Sequence, residues 1–202
     1  MTRFVLPIAA AALLAGCATA PAPASPVEVT RFHNPAGLSV IEGGTVFIES
    51  APRGGDSLAA SPYKAAVARE LSRLGYRETN RSEATLIAQV EVDRFAIGSD
   101  GERRGPVSVG VGGSTGSYGS GVGVGVGINL GGGRSRERVG TELSVMLRDA
   151  KSNQAVWEGR AQFSVGPEAA QAEPATNASI IAEALFRDFP GGNGETVRTK
   201  VN

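Results

Sequence analysis

Two kinds of apolar periodicity alternate along this chain and predict an α+β fold, a two-layer sandwich of an antiparallel sheet against two amphipathic helices. Apolar residues recur at every second position in Leu86–Val92, Val139–Leu147 and Ala155–Val165, as strands with one buried face require. In Tyr63–Leu74 and Thr176–Phe189 they recur at helical spacing instead. Elements of both kinds carry an apolar face that must be covered, and stacking helices on a sheet covers both.

The first strands are short. Val27 to Phe32 and Thr45 to Ser50 alternate apolar with polar or β-branched residues, with Gly43 and Gly44 between them. Ser61 is placed to cap the first helix and Pro62 to occupy its first turn, where a missing N–H costs nothing. Tyr63, Val67, Leu71 and Leu74 then form one stripe, and Gly75 ends it. Leu86, Ala88, Val90 and Val92 define the inward face of the next strand.

Val139, Thr141, Leu143, Val145 and Leu147 line one side of a further strand, Asp149 to Gln154 reads as a turn, and Ala155, Trp157, Ala161, Phe163 and Val165 return. This hairpin carries the single tryptophan inward. The second helix is expected from about Thr176 to Phe189, with Ile181, Leu185 and Phe189 spaced by four and Pro190-Gly191-Gly192 stopping the pattern.

The N-terminus is organised differently. Met1-Thr2-Arg3 is followed by an apolar run of 11 residues, Phe4 to Leu14. A helix spanning a bilayer needs about 20 apolar residues, so residues 1–16 read as a cleaved signal peptide rather than a permanent span. Leu14-Ala15-Gly16-Cys17 resembles the bacterial lipobox, in which the cysteine sulfur carries a diacylglycerol. Cys17 is the only cysteine. In an exported protein a lone thiol is otherwise a reactive anomaly, and acylation removes it. Cys17 is therefore the expected lipidation site and the membrane the expected partner. Several acyl chains together give stable anchoring. Ala18 occupies the position where aspartate resembles an inner-membrane retention signal, which favours the periplasmic face of the outer membrane. Residues 17–26, rich in Pro and Ala, form a semi-extended tether, and 27–202 is read as a single domain.

A glycine-rich insert, residues 105–133, interrupts that domain with 13 glycines. Alternation of Val107, Val109 and Val111, and of Val122, Val124, Val126 and Ile128, is compatible with a long hairpin, but glycine specifies register poorly. Neither G-x-G-x-x-G in this segment nor G-x-x-x-x-G-K-[ST] anywhere occurs, so no phosphate cradle is expected. The insert is expected to be partly mobile, dispensable for folding and available for association.

Charge argues against nucleic acid. Residues 1–16 contain one of the 20 basic residues and none of the 20 acidic ones, so their removal leaves 19 against 20. Candidate chemistry is equally thin. His33, the single histidine, reads as a solvated loop residue and cannot by itself build a metal site or a hydrolytic triad. Glu91 and Asp93 share a strand face but read as ordinary polar positions. Arg134, Arg136 and Arg138 alternate as edge-protecting charges would. Asn80-Arg81-Ser82 and Asn177-Ala178-Ser179 match the glycosylation triplet by chance. No catalytic, cofactor or metal residue is expected.

Three stretches carry a family resemblance. Glu70-Leu71-Ser72-Arg73-Leu74-Gly75-Tyr76 precedes the strand Ala84 to Val92. Glu142-Leu143-Ser144-Val145 and Val156-Trp157-Glu158-Gly159-Arg160-Ala161 form the hairpin, and Ala184-Leu185-Phe186-Arg187-Asp188-Phe189-Pro190-Gly191 closes the second helix. Together they resemble the DUF4136 family of bacterial envelope lipoproteins, from about Val27 to Glu195. The resemblance implies fold and location but no catalytic residues. The expected function is a non-enzymatic, lipid-anchored outer-membrane lipoprotein whose periplasmic domain makes structural or partner contacts, by self-association or with another envelope protein. The alternative is a module binding a small ligand or peptidoglycan between helices and sheet, with an enzyme third.

Overall fold

A computed structural model describes residues 23–35, 37, 43–52, 58–106 and 137–201. Strands β1 (Val27–His33), β2 (Gly44–Ser50), β3 (Tyr76–Glu78), β4 (Leu86–Ile97), β5 (Arg103–Pro106), β6 (Arg138–Asp149), β7 (Ala155–Val165) and β8 (Thr196–Thr199) form one open sheet. Its order is β3-β2-β4-β6-β7-β1-β8, and β5 also pairs with β4. Helices α1 (Ser61–Arg73) and α2 (Pro174–Phe186) cover one face, so the α+β two-layer architecture holds.

The sheet is mixed rather than antiparallel throughout. β2 runs parallel to both β3 and β4, Val46 facing Glu78 on one side and Leu86 on the other. The cause is α1, because a helical crossover returns the chain to the starting end of the sheet, where only a parallel strand can be laid down. The β4–β6 and β6–β7 ladders are antiparallel along their lengths, with Val90 opposite Val145 and Leu143 opposite Ala161. A register shift between Leu147 and Arg148 turns Ala155 out and buries Val156.

Helix boundaries differ slightly from the periodicity. Ser61 lies within α1 rather than capping it; Ala60 occupies the cap position, and no side chain bonds there. In the stripe, Tyr63, Val67 and Leu71 are fully buried while Leu74 is 37 % exposed, because it already belongs to the C-cap. Gly75 follows with φ +91°, the left-handed conformation that glycine adopts without strain. α2 begins two residues earlier than its apolar spacing suggests. Pro174 sits in its first turn and the Glu173 carboxylate accepts the Thr176 N–H at 2.8 Å.

The core between the layers contains Tyr63, Val67, Leu71, Leu86, Leu143, Leu147, Trp157, Phe163, Ile181 and Leu185, each no more than 2 % exposed. The outer face of the sheet is polar: Glu158 with Arg160, Glu142 with Gln162, and Gln89 with Glu49.

Chain direction gives the sheet two distinct ends. At one, β4 finishes, β5 and β6 begin, β7 finishes and β1 begins. Both helices start near this end, since Arg94, close to the end of β4, donates to the Ala172 carbonyl just ahead of α2 and Tyr63 of α1 donates to Asn177 of α2. At the other lie the Asp149–Gln154 turn, the end of β1 and the segment after α2.

Candidate functional site

Cys17, the expected lipidation site, the expected signal peptide and most of the glycine-rich insert lie outside the described residues. The tether is described only from Pro23, and it is fastened. Ser25 N–H donates to the Ser164 carbonyl at 2.9 Å, the Ser25 hydroxyl accepts the Ser164 N–H at 2.9 Å, and Arg138 donates to the Pro23 carbonyl.

The other residues singled out in the sequence are dispersed. His33 is the last residue of β1 and half-buried, not a solvated loop residue: β1 extends one position beyond its alternation. Its Nε2 lies 3.3 Å from the Gly191 carbonyl, and its Nδ1 is buried with no partner. Asp93 pairs with Arg103, which also reaches Glu142 and stacks on the Phe95 ring at 3.6 Å. Arg138 starts β6, a central strand between β4 and β7, so edge protection is not its role. It donates to the Ser164 carbonyl and hydroxyl instead. Asn177 is fully buried, so the asparagine of that triplet is inaccessible in the fold. Asn80 is exposed beside a short 3-10 turn, Arg81–Glu83. Among the described residues, no three His, Cys, Asp or Glu side chains gather in a metal-binding arrangement.

Two polar clusters on the helix-covered face were missed. In the first, Arg31 is only 5 % exposed and its guanidinium donates to the carbonyls of Leu185 at 2.8 Å, Ala184 at 2.9 Å and Arg187 at 2.7 Å. These are the carbonyls that the end of α2 leaves without helical partners. Burial pushes the Arg31 guanidinium below its ordinary value, and the Asp188 charge opposes that. Beside it Trp157 stacks on Phe186 with ring centroids 5.4 Å apart, lies 5.2 Å from Phe189, and donates its indole N–H to the Pro190 carbonyl at 3.0 Å.

In the second cluster, the Tyr63 hydroxyl donates to Asn177 Oδ1 at 3.0 Å, Asn177 donates to the Gln171 carbonyl, and Arg94 donates to the Ala172 carbonyl at 2.7 Å. Burial pushes the Tyr63 phenol up against the opposing Arg94 charge. Thr141 Oγ1, beside the Tyr63 hydroxyl, and Arg94 Nε are buried in the same cluster. The signal for both clusters was available. Arg31 follows Val27 and Val29 at inward positions, and Arg94 follows Leu86, Ala88, Val90 and Val92 in the same phase.

An open groove of about 680 Å³ lies between the N-terminal halves of α1 and α2, lined by Leu58, Pro62, Ala65, Arg69, Ala175 and Ser179. Beneath it the helix–sheet interface is filled by core side chains.

These features define a helix-covered, open mixed sheet whose buried polar groups fasten its own helices. The chain belongs to the DUF4136 family, described as a domain of unknown function, whose model matches residues 37–191. An uncharacterized protein of Zymomonas mobilis is 36 % identical over 63 residues, 31 % of this chain and 24 % of that relative, so the match spans about a quarter of the relative's length. Among solved structures, a PDZ domain protein from Parabacteroides distasonis has a TM-score of 0.50 at 10 % identity, covering 88 % of this chain and 39 % of that one. A PelC dodecamer from Paraburkholderia phytofirmans has a TM-score of 0.44 at 13 % identity, covering 79 % and 94 %.

Proposed function

We propose that this chain is a lipid-anchored lipoprotein of the outer membrane, held by acyl chains on Cys17, whose periplasmic domain makes structural or partner contacts in the envelope without catalysing a reaction. The observation that carries the reading is Leu14-Ala15-Gly16-Cys17 at the end of an 11-residue apolar run, in a chain with no other cysteine. The fastening of Ser25 to Ser164 supports it, because the sheet then begins directly after a tether of Pro and Ala.

The buried polar groups support a non-catalytic role. The guanidinium of Arg31 is occupied by helix carbonyls, and the Tyr63 hydroxyl is occupied by Asn177. Such groups hold a scaffold in one arrangement and present no nucleophile with an adjacent base.

Replacing Cys17 with serine in the producing cell tests the anchor. The wild-type protein should incorporate labelled fatty acid and sediment with membranes, and Cys17→Ser should do neither. Equal membrane retention and electrophoretic mobility of the two would overturn the reading. Crosslinking in intact cells, followed by identification of the captured protein, tests the contact role; capture of no envelope protein and no second copy would remove it.

A further inference from the structure

The proposed anchor has a geometric consequence for the surface that meets the bilayer. Six residue steps separate Cys17 from Pro23, and a chain of that length spans at most about 20 Å whatever its conformation. Pro23 and Ser25 are fastened to Arg138 and Ser164, at the end of the sheet where β4 and β7 finish. The Asp149–Gln154 turn lies at the opposite end of β7, whose 11 residues at about 3.3 Å each place it roughly 35 Å away, beyond the tether's reach.

The end within reach carries an apolar feature that the fold leaves uncovered. Leu58 is 93 % exposed in the short 3-10 turn Leu58–Ala60 that leads into α1. It borders the groove between the helix N-terminal halves, where Pro62, Ala65 and Ala175 are small or apolar and Arg69 supplies a cation. An exposed leucine beside small side chains, with one arginine to meet phosphate, matches the boundary between phospholipid headgroups and acyl chains.

We propose that this end of the domain is its bilayer-facing surface, with Leu58 and the groove between the starts of α1 and α2 resting on phospholipid. This inference rests on the anchor at Cys17. The opposite end, with the Asp149–Gln154 turn and the segment after α2, then faces away from the membrane.

The test uses the full lipidated protein in vesicles of phosphatidylethanolamine and phosphatidylglycerol containing a lipid with a spin label at headgroup depth. A fluorophore is attached at one engineered cysteine per variant: Leu58→Cys, Ser99→Cys in the β4–β5 turn, or Lys151→Cys in the distant turn. All three positions are exposed, and acylated Cys17 offers no competing thiol. Quenching at 58 and 99 is expected to exceed that at 151 at least threefold. Equal quenching at the three positions, or quenching strongest at 151, overturns the orientation. Flotation of the unlabelled protein with the vesicles reads the anchor separately. Protein that floats with the wrong quenching pattern defeats the orientation alone, whereas protein that does not float defeats the anchor and the orientation together.

Discussion

Arg31 and Arg94 project from the same face of the sheet and hold the two ends of one helix. Arg94 donates to the Ala172 carbonyl just ahead of α2, and Arg31 donates to Ala184, Leu185 and Arg187 where α2 finishes. A helix packed only by its apolar stripe can slide along a sheet at modest cost, whereas directional bonds at both ends fix its position.

Removing the Arg31 side chain leaves three carbonyls without their donor in a buried setting. Arg31→Met should therefore destabilise the domain by about 3 kcal/mol. Arg31→Lys should recover only part of that, since a single ammonium cannot reproduce the planar fork. Thermal denaturation of both variants measures this, and wild-type melting of Arg31→Met would show that the carbonyls find other donors.

Trp157 is a core residue, 1 % exposed and in contact with Phe186 and Phe189. Trp157→Ala should cost about 4 kcal/mol. Trp157→Phe, which keeps a ring but loses the bond to the Pro190 carbonyl, should cost about half as much. Chemical denaturation followed by far-UV circular dichroism distinguishes the two, and equal losses would show that the bond rather than the ring's volume decides.

Gly159 lies under that indole. A Cβ there would collide with the Trp157 ring and come within 2.8 Å of Leu185 Cδ1. Gly159→Ala should therefore lose roughly 2 to 3 kcal/mol through overpacking, although alanine in place of a strand glycine ordinarily stabilises. Gly166, with open space around its missing Cβ, is the control. Gly166→Ala should melt near the wild-type temperature, and similar melting of the two variants would contradict the packing.

Glu173 and Asp149 are among the exposed carboxylates that set the expected response to acid. Backbone N–H donors, from Thr176 to Glu173 and from Ser152 to Asp149, hold both below their ordinary values of 4.5 and 3.8. A carboxyl with a lower value in the fold contributes stability that is present above its unfolded value and lost as pH falls through the folded one. Glu173→Gln should thus melt below wild type at pH 6, and the gap should close as pH falls from about 5 toward 3. A gap independent of pH would show that the charge on the α2 cap is immaterial.

The insert prediction is testable without knowing its conformation. β4, β6 and β7 pair along their lengths on either side of it. Replacing residues 106–132 with a short glycine-serine turn should leave the melting temperature nearly unchanged while weakening self-association or partner capture. Unfolding of that variant would make the segment part of the sheet, and survival of both properties would remove its association role.

Periodicity made the long elements legible, because β4, β6, β7 and both helices each bury one face and open the other. It did not reveal β3, β5 and β8. Arg77 and Glu78, Arg103 and Arg104, and Thr196, Val197 and Arg198 are exposed, so no buried face imposes alternation on them. The clamping arginines escape the periodicity for a related reason. A charge in the inward phase of an apolar strand looks like the strand's end, and only the positions of the α2 termini give Arg31 and Arg94 their partners.

β1 lies between β7 and β8, with Glu28 facing Gln162 on one side and Arg198 on the other. Its neighbours are therefore synthesised more than a hundred positions later, as the residue numbers in those pairs state. β1 leaves the ribosome well before either of its partners, and until β8 arrives one side of it stays unpaired. Shortening the chain before Thr196 would uncover the backbone of a strand that the finished fold keeps internal.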